Sequence, residues 1–112
     1  MGKLENYQKI LTELVENFAK NPFSIQKSLE NQALIDTKNN HYQVVTLGWD
    51  KNSFVYSPIL HFDIKDEKIW IQQNWTDVMV DAELVKMGVD KNDIVLGFLP
   101  IYAREYSGLS VA

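Results

Sequence analysis

A chain of 112 residues, 46% hydrophobic and 23% charged, supplies one domain with one modest core, and its length excludes two domains of ordinary size. The absence of cysteine excludes a disulfide scaffold, a thiolate metal site and a cysteine nucleophile together. A formal net charge of -4, with Arg104 as the only arginine, argues against direct reading of nucleic acid. Arginine is the side chain best suited to bidentate contacts with guanine and phosphate.

The first predicted element is a helix. Leu4, Tyr7, Leu11, Leu14 and Phe18 recur at spacings of three and four, and Ile10 and Val15 widen the stripe. Glu5, Gln8, Lys9, Glu13, Glu16 and Asn17 fill the other side. This mixed polar face indicates a packing helix, because a membrane-surface helix favours a lysine-rich one. Pro22 places the helix end near Lys20 and Asn21.

From about Ile25 the period becomes strand-like. Strands are expected over residues 29–37, 42–50, 54–64 and 69–75, with turns at Lys38-Asn39-Asn40, at Lys51-Asn52 and at Lys65-Asp66-Glu67-Lys68. Strict alternation along the third strand sets Phe54, Tyr56, Pro58, Leu60, Phe62 and Ile64 against Ser53, Ser57, His61, Asp63 and Lys65. Pro58 cannot donate to a ladder, which implies an edge position or a bulge. Turns this short join antiparallel neighbours, so the four strands form a meander.

The last third returns to helix. Thr76 or Asp77 is positioned to cap a helix containing Val80, Leu84, Val85 and Met87, and Gly88 suits its left-handed end. Asp90 or Asn92 starts a further turn before Ile94-Val95-Leu96, and the chain beyond Gly97 reads as irregular. The expected class is α+β: an N-terminal amphipathic helix, a four-stranded antiparallel meander, and one or two C-terminal helices packed on one face. The expectation is one domain over residues 1–112. Apolar runs are far short of the roughly 20 residues that span a bilayer. The N-terminus has no signal-like apolar core, so a soluble cytoplasmic protein is expected.

Few residues suggest chemistry, and none is expected to be catalytic, to bind a metal or to require a cofactor. The sharpest pattern is His61, Asp63 and Lys65 on one strand face with Asp50 upstream. Carboxylates followed by lysine hold magnesium and stabilise charge at phosphate in many nucleases. Cross-strand charge pairing on a solvated face accounts for the same string more simply. His41 borders a turn and reads as solvated. His61 reads as a hydrogen-bonded sheet residue in preference to a metal ligand. Trp70 lies on the opposite strand face from Ile69, Ile71 and Trp75, alongside Gln72 and Asn74. Trp70 and Gln72 are therefore candidates for an interface, unless the segment around Tyr102 to Tyr106 folds over them.

Leu47-Gly48-Trp49-Asp50, His61-Phe62-Asp63-Ile64-Lys65, Lys68-Ile69-Trp70-Ile71-Gln72, Asp93-Ile94-Val95-Leu96-Gly97-Phe98 and the terminal Tyr106 to Ala112 stretch jointly resemble the XisI family, the fdxN element excision controlling factors of cyanobacteria. The resemblance runs along essentially the whole chain. It implies an accessory role in excision of a DNA element during heterocyst differentiation, with strand chemistry done by a separate recombinase. It also implies a nuclease-like companion, XisH, reached by protein–protein contact. The family offers no established catalytic residues to carry over. Two departures stand out: Leu99-Pro100-Ile101 keeps one proline where the family tends to two, and residues 74–79 are more apolar than its usual acidic turn. The many strand aromatics add the expectation of a homodimer.

Overall fold

The computed structural model describes residues 2–20 and 28–112; of the expected helix end near Lys20 and Asn21, Asn21 lies outside the described residues, as do Pro22 and the change of period at Ile25. Helix α1 spans Lys3–Lys20. Its buried side chains are Tyr7, Ile10, Leu11 and Val15, with Leu14 and Phe18 partly covered. Leu4, expected in the stripe, is exposed. The apolar arc therefore centres on Leu11 and Val15, both fully buried. Burying side chains of this size contributes about 1.5–3 kcal/mol each.

Four strands follow, β1 (Leu29–Asp36), β2 (His41–Asp50), β3 (Ser53–Lys65) and β4 (Lys68–Asn74), paired antiparallel in sequence order. The turns between them place four non-glycine residues at positive φ, Asn40 at 61°, Lys51 at 56°, and Asp66 and Glu67 at 52° and 61°, a conformation that Asn and Asp adopt more readily than Lys or Glu. Asp36 closes the first turn by accepting from the backbone N–H groups of Lys38 and Asn39, both at 3.0 Å. Gly48, opposite Leu29, has φ +140°, and a Cβ there would collide with the Ser28 carbonyl oxygen. Close approach of β1 to β2 therefore requires glycine.

The meander is not the whole sheet. A short fifth strand, β5 (Ile94–Leu96), pairs parallel with β4, so the sheet is five-stranded and mixed, in the order β1-β2-β3-β4-β5. Four antiparallel strands were expected. A three-residue strand is too short to show a period, and parallel pairing depends on where the crossover returns the chain. The crossover carries helix α2 (Val80–Lys86), whose Val80 and Leu84 join the α1 core. Thr76 and Asp77 do not cap it. Met79 occupies the N-cap without a side-chain bond, because Thr76 is committed to a preceding turn in which Asn74 Oδ1 accepts from its N–H and hydroxyl. Gly88, at φ +107°, follows the helix as expected.

The last helix, α3 (Ile101–Arg104), departs from the expected single-sided packing. While α1 and α2 share one face of the sheet, residues 97–104 reach the other, where Gly97 and Arg104 lie against Trp70.

One polar link ties the first helix to the C-terminal third. Asp93 is 7% exposed, and its carboxylate accepts from the Tyr7 hydroxyl at 2.6 Å and pairs with Lys3 Nζ at 3.0 Å. Burial pushes the Asp93 carboxyl up, but the hydrogen bonds from Tyr7 and Lys3 outweigh it and hold the group below the usual carboxylate range. The stability from this depression is present above the unfolded carboxylate value of about 3.9 and is lost as pH falls through the lower folded value. Asp93→Asn should be less stable at neutral pH and lose less between pH 5 and pH 2 than the parent, as measured by urea unfolding at each pH. Tyr7→Phe, which removes a donor to a buried charge, should cost about 1.5–3 kcal/mol at neutral pH in the same assay.

Candidate functional site

The face of the sheet away from α1 carries a polar cluster, and strand register builds it. His41 opens β2 directly opposite Asp63 on β3, and Gln43 lies opposite His61. Asp63 in turn faces Trp70 on β4, and Trp70 faces Val95 on β5. Residues distant in sequence thus meet on one patch.

Asp63 is the centre. Its side chain is 11% exposed, and one oxygen, Oδ1, accepts from His41 Nδ1 at 2.7 Å and from His61 Nε2 at 2.8 Å. The other oxygen, Oδ2, accepts from Gln72 Nε2 at 3.1 Å. Burial pushes the Asp63 carboxyl up, while the bonds from His41, His61 and Gln72 pull it down further, leaving it below the usual range. An ionised carboxylate only accepts, so the two ring nitrogens facing it are the protonated ones. The imidazoles meet edge to face, with ring centroids 6.4 Å apart. The His41 and His61 nitrogens and an Asp63 oxygen, all of ligating type, lie within 4.8 Å of one another.

Two further residues wall the cluster. A Cβ at Gly97 would collide with Gln72 Oε1 and stand 3.2 Å from the Trp70 ring, so the bare backbone at 97 leaves room for the amide that holds Asp63. Trp70 is flanked by two cations, Lys65 Nζ at 4.8 Å and Arg104 Cζ at 5.1 Å from its ring centroid. Arg104 is held in place by donating from Nε to the Leu99 carbonyl at 3.0 Å and from Nη1 to the Val111 carbonyl at 3.2 Å.

Of the residues with nuclease-like spacing, His61, Asp63 and Lys65 share this face, but Asp50 does not join them. It pairs with Ser53 at the opposite end of β2 from His41, roughly 30 Å away at the rise of an extended strand. His41 takes the place beside Asp63, and Lys65 lies over Trp70. Trp70 and Gln72 are both half-buried, one under Arg104 and the other bonded to Asp63. Asn74, expected beside Trp70, faces the other way. A register shift at Gln72 pairs Asn74 with Leu60 on the core side and puts Gln73 opposite His61. His41 is exposed, as its place beside a turn implies, but it also bonds to Asp63, and no local pattern marks Gly97 or Arg104 as part of this patch.

Beyond the cluster the same face is apolar. Trp49 and Phe54 meet at 5.3 Å between centroids near the β2–β3 turn, with Tyr56 beside them. These three rings are 58%, 55% and 65% exposed. Among the described residues no helix is long and apolar enough to cross a membrane.

The profile of the XisI protein family matches residues 1–111. The chain belongs to the XisI family. A crystal structure of a XisI-like protein from Anabaena variabilis superposes with a TM-score of 0.90 at 44% identity, covering 97% of this chain and 99% of the other. The fdxN element excision controlling factor XisI from the same organism superposes at 0.85 with 26% identity, covering 99% of this chain and 100% of its own. Among the curated proteins compared, none matches. The five-stranded sheet and its covering segments thus belong to a XisI architecture shared along nearly the whole length of each chain.

Gly97 provides a test of how this XisI patch is built. Gly97→Ala should displace Gln72 and cost about 1–3 kcal/mol by overpacking. The cost should shrink in a Gln72→Ala background, measured as a double-mutant cycle by chemical denaturation.

Proposed function

We propose that this XisI-family protein is a non-catalytic accessory factor in the control of DNA-element excision, acting through contact with other proteins. The observation that carries the reading is its likeness, along 99% of its length, to a protein named as the fdxN element excision controlling factor XisI. A nuclease-like XisH companion is the proposed partner, and heterocyst differentiation in a cyanobacterium the proposed setting, in keeping with the Anabaena relatives. The net charge of -4 suits an acidic surface that covers a DNA-binding one. The separation of Asp50 from Asp63 further favours regulation over strand cleavage.

The contact face in this reading is the open side of the sheet, from Trp49, Phe54 and Tyr56 towards Trp70 and Gln72. Exposed rings of this kind serve as anchors when a partner excludes water from them. A second copy of the chain is one such partner, and a stable pair buries about 800 Å² on each side.

Incubation of the protein with plasmid DNA and magnesium or manganese should give no cleavage above control. Cleavage abolished by Asp63→Ala would overturn the accessory reading. In a pull-down, the XisH companion should be retained by the parent and lost with the double substitution Phe54→Ser, Tyr56→Ser. Light scattering at micromolar concentration should return twice the 13.0 kDa of one chain, and a mass of one chain would remove the dimer.

A further inference from the structure

The geometry points to a binding site for one divalent transition-metal ion of the zinc type at His41 Nδ1, His61 Nε2 and Asp63 Oδ1. These are the only two histidines in the chain, and the turn and register bring both to the same carboxylate oxygen. Once each ring gives up the proton it now directs at Asp63, to its other nitrogen or to solvent, two neutral imidazoles and one carboxylate form a borderline-soft nitrogen and oxygen set, which suits zinc and its first-row neighbours. Magnesium and calcium prefer oxygen alone.

The spacing fits an ion. Metal–ligand bonds of about 2.0–2.2 Å in a tetrahedral set separate ligand atoms by about 3.3–3.6 Å. The nitrogen-to-oxygen distances of 2.7 and 2.8 Å must therefore open by roughly half an ångström or more each, and the two ring nitrogens, within 4.8 Å of each other, must settle at the same spacing. The His41 side chain is 52% exposed and has room to make that adjustment. Its open side also supplies the entry path and a fourth position for water, as three-ligand zinc sites retain.

The charge balance favours an ion as well. A buried carboxylate is ordinarily offset by a paired charge or a metal. Among the described residues the ion-pair partners of Asp63 are the two histidines, which carry charge only when protonated. Lys65, the permanent cation on the same strand face, lies over Trp70. A divalent ion supplies the missing positive charge without depending on a proton.

The outer partners are already in place. Gln72 fixes the Asp63 oxygen that the ion leaves free, and Gly97 leaves the room Gln72 occupies. Outer hydrogen bonds of this kind orient the ligands, and their loss typically weakens metal binding by about 10–100-fold. The ion would clip β2 to β3 on the face opposite α1, where the two rings now share the Asp63 oxygen and an edge-to-face contact.

The test uses the full chain with every affinity tag removed, titrated with zinc against a chromophoric chelator, and with magnesium as a control. One zinc per chain with micromolar or tighter affinity is expected, no competition by magnesium, and a rise in Tm with zinc. His41→Ala, at an exposed position that should not prevent folding, should weaken binding at least tenfold and abolish the Tm rise. Gln72→Leu should weaken binding by about tenfold, and Asp50→Asn should leave it unchanged. Cobalt substitution should give visible d–d absorption that disappears in His61→Ala. Binding seen only at millimolar zinc, or stoichiometric binding that survives both His41→Ala and His61→Ala, would overturn the proposal.

Discussion

The open face of the sheet depends on a single extra residue. Between Val44 and Val45 the β2–β3 register shifts, so that Leu60 faces Val44, Pro58 faces Val45, and Ile59 is left over as a bulge. Proline has no N–H to give a ladder, and the interruption falls beside it. Because side chains alternate, one inserted residue reverses the phase of the strand. Leu60, Phe62 and Ile64 face α1, whereas Phe54, Tyr56 and Pro58 are turned to the side of His61 and Asp63. Without the bulge the aromatic half of β3 would crowd the helix-covered core, and the polar cluster would lack its apolar neighbours.

This explains what the sequence reveals and what it conceals. Four strands are legible to within a residue or two at each end, since their β-branched and aromatic runs are long and their turns carry Asn, Asp and Lys. Pro58 signals an irregularity, but strict alternation along residues 54–64 sets Phe54 and Tyr56 on the face of Leu60, whereas the bulge turns them to the other. The partnership of His41 with Asp63 is hidden for the same reason. Counting back from the two-residue turn at Lys51-Asn52 pairs His41 with Phe62, and only the bulge moves it one step to Asp63. At Gln72 a second shift turns Asn74 away from Trp70. Local pattern reveals which residues form strands. Phase, and therefore the site, is set by two irregularities whose positions depend on long-range pairing.

The two buried aspartates show how differently one residue type is used. Asp93 is met by a lysine and a phenol, a permanent cation and a firm donor, and it joins α1 to the segment entering β5. Asp63 is met by two imidazoles and an amide, groups that bind and orient without guaranteeing charge. The first arrangement closes off alternatives and serves cohesion. The second leaves a carboxylate opposite Trp70 in the ladder and bordered by the half-exposed His41 ring.

The Tyr7–Asp93 bond joins residues 86 apart in the chain. The β-hairpins close across turns of a few residues, so their loop-closure entropy is small and their ladders can assemble early. Helix α1 is synthesised before the sheet, yet its buried polar anchor at Asp93 comes 86 residues later. On a ribosome the amphipathic helix must wait with its apolar stripe uncovered while the sheet that will receive it is still being made, so an element made ahead of the sheet is secured only after it.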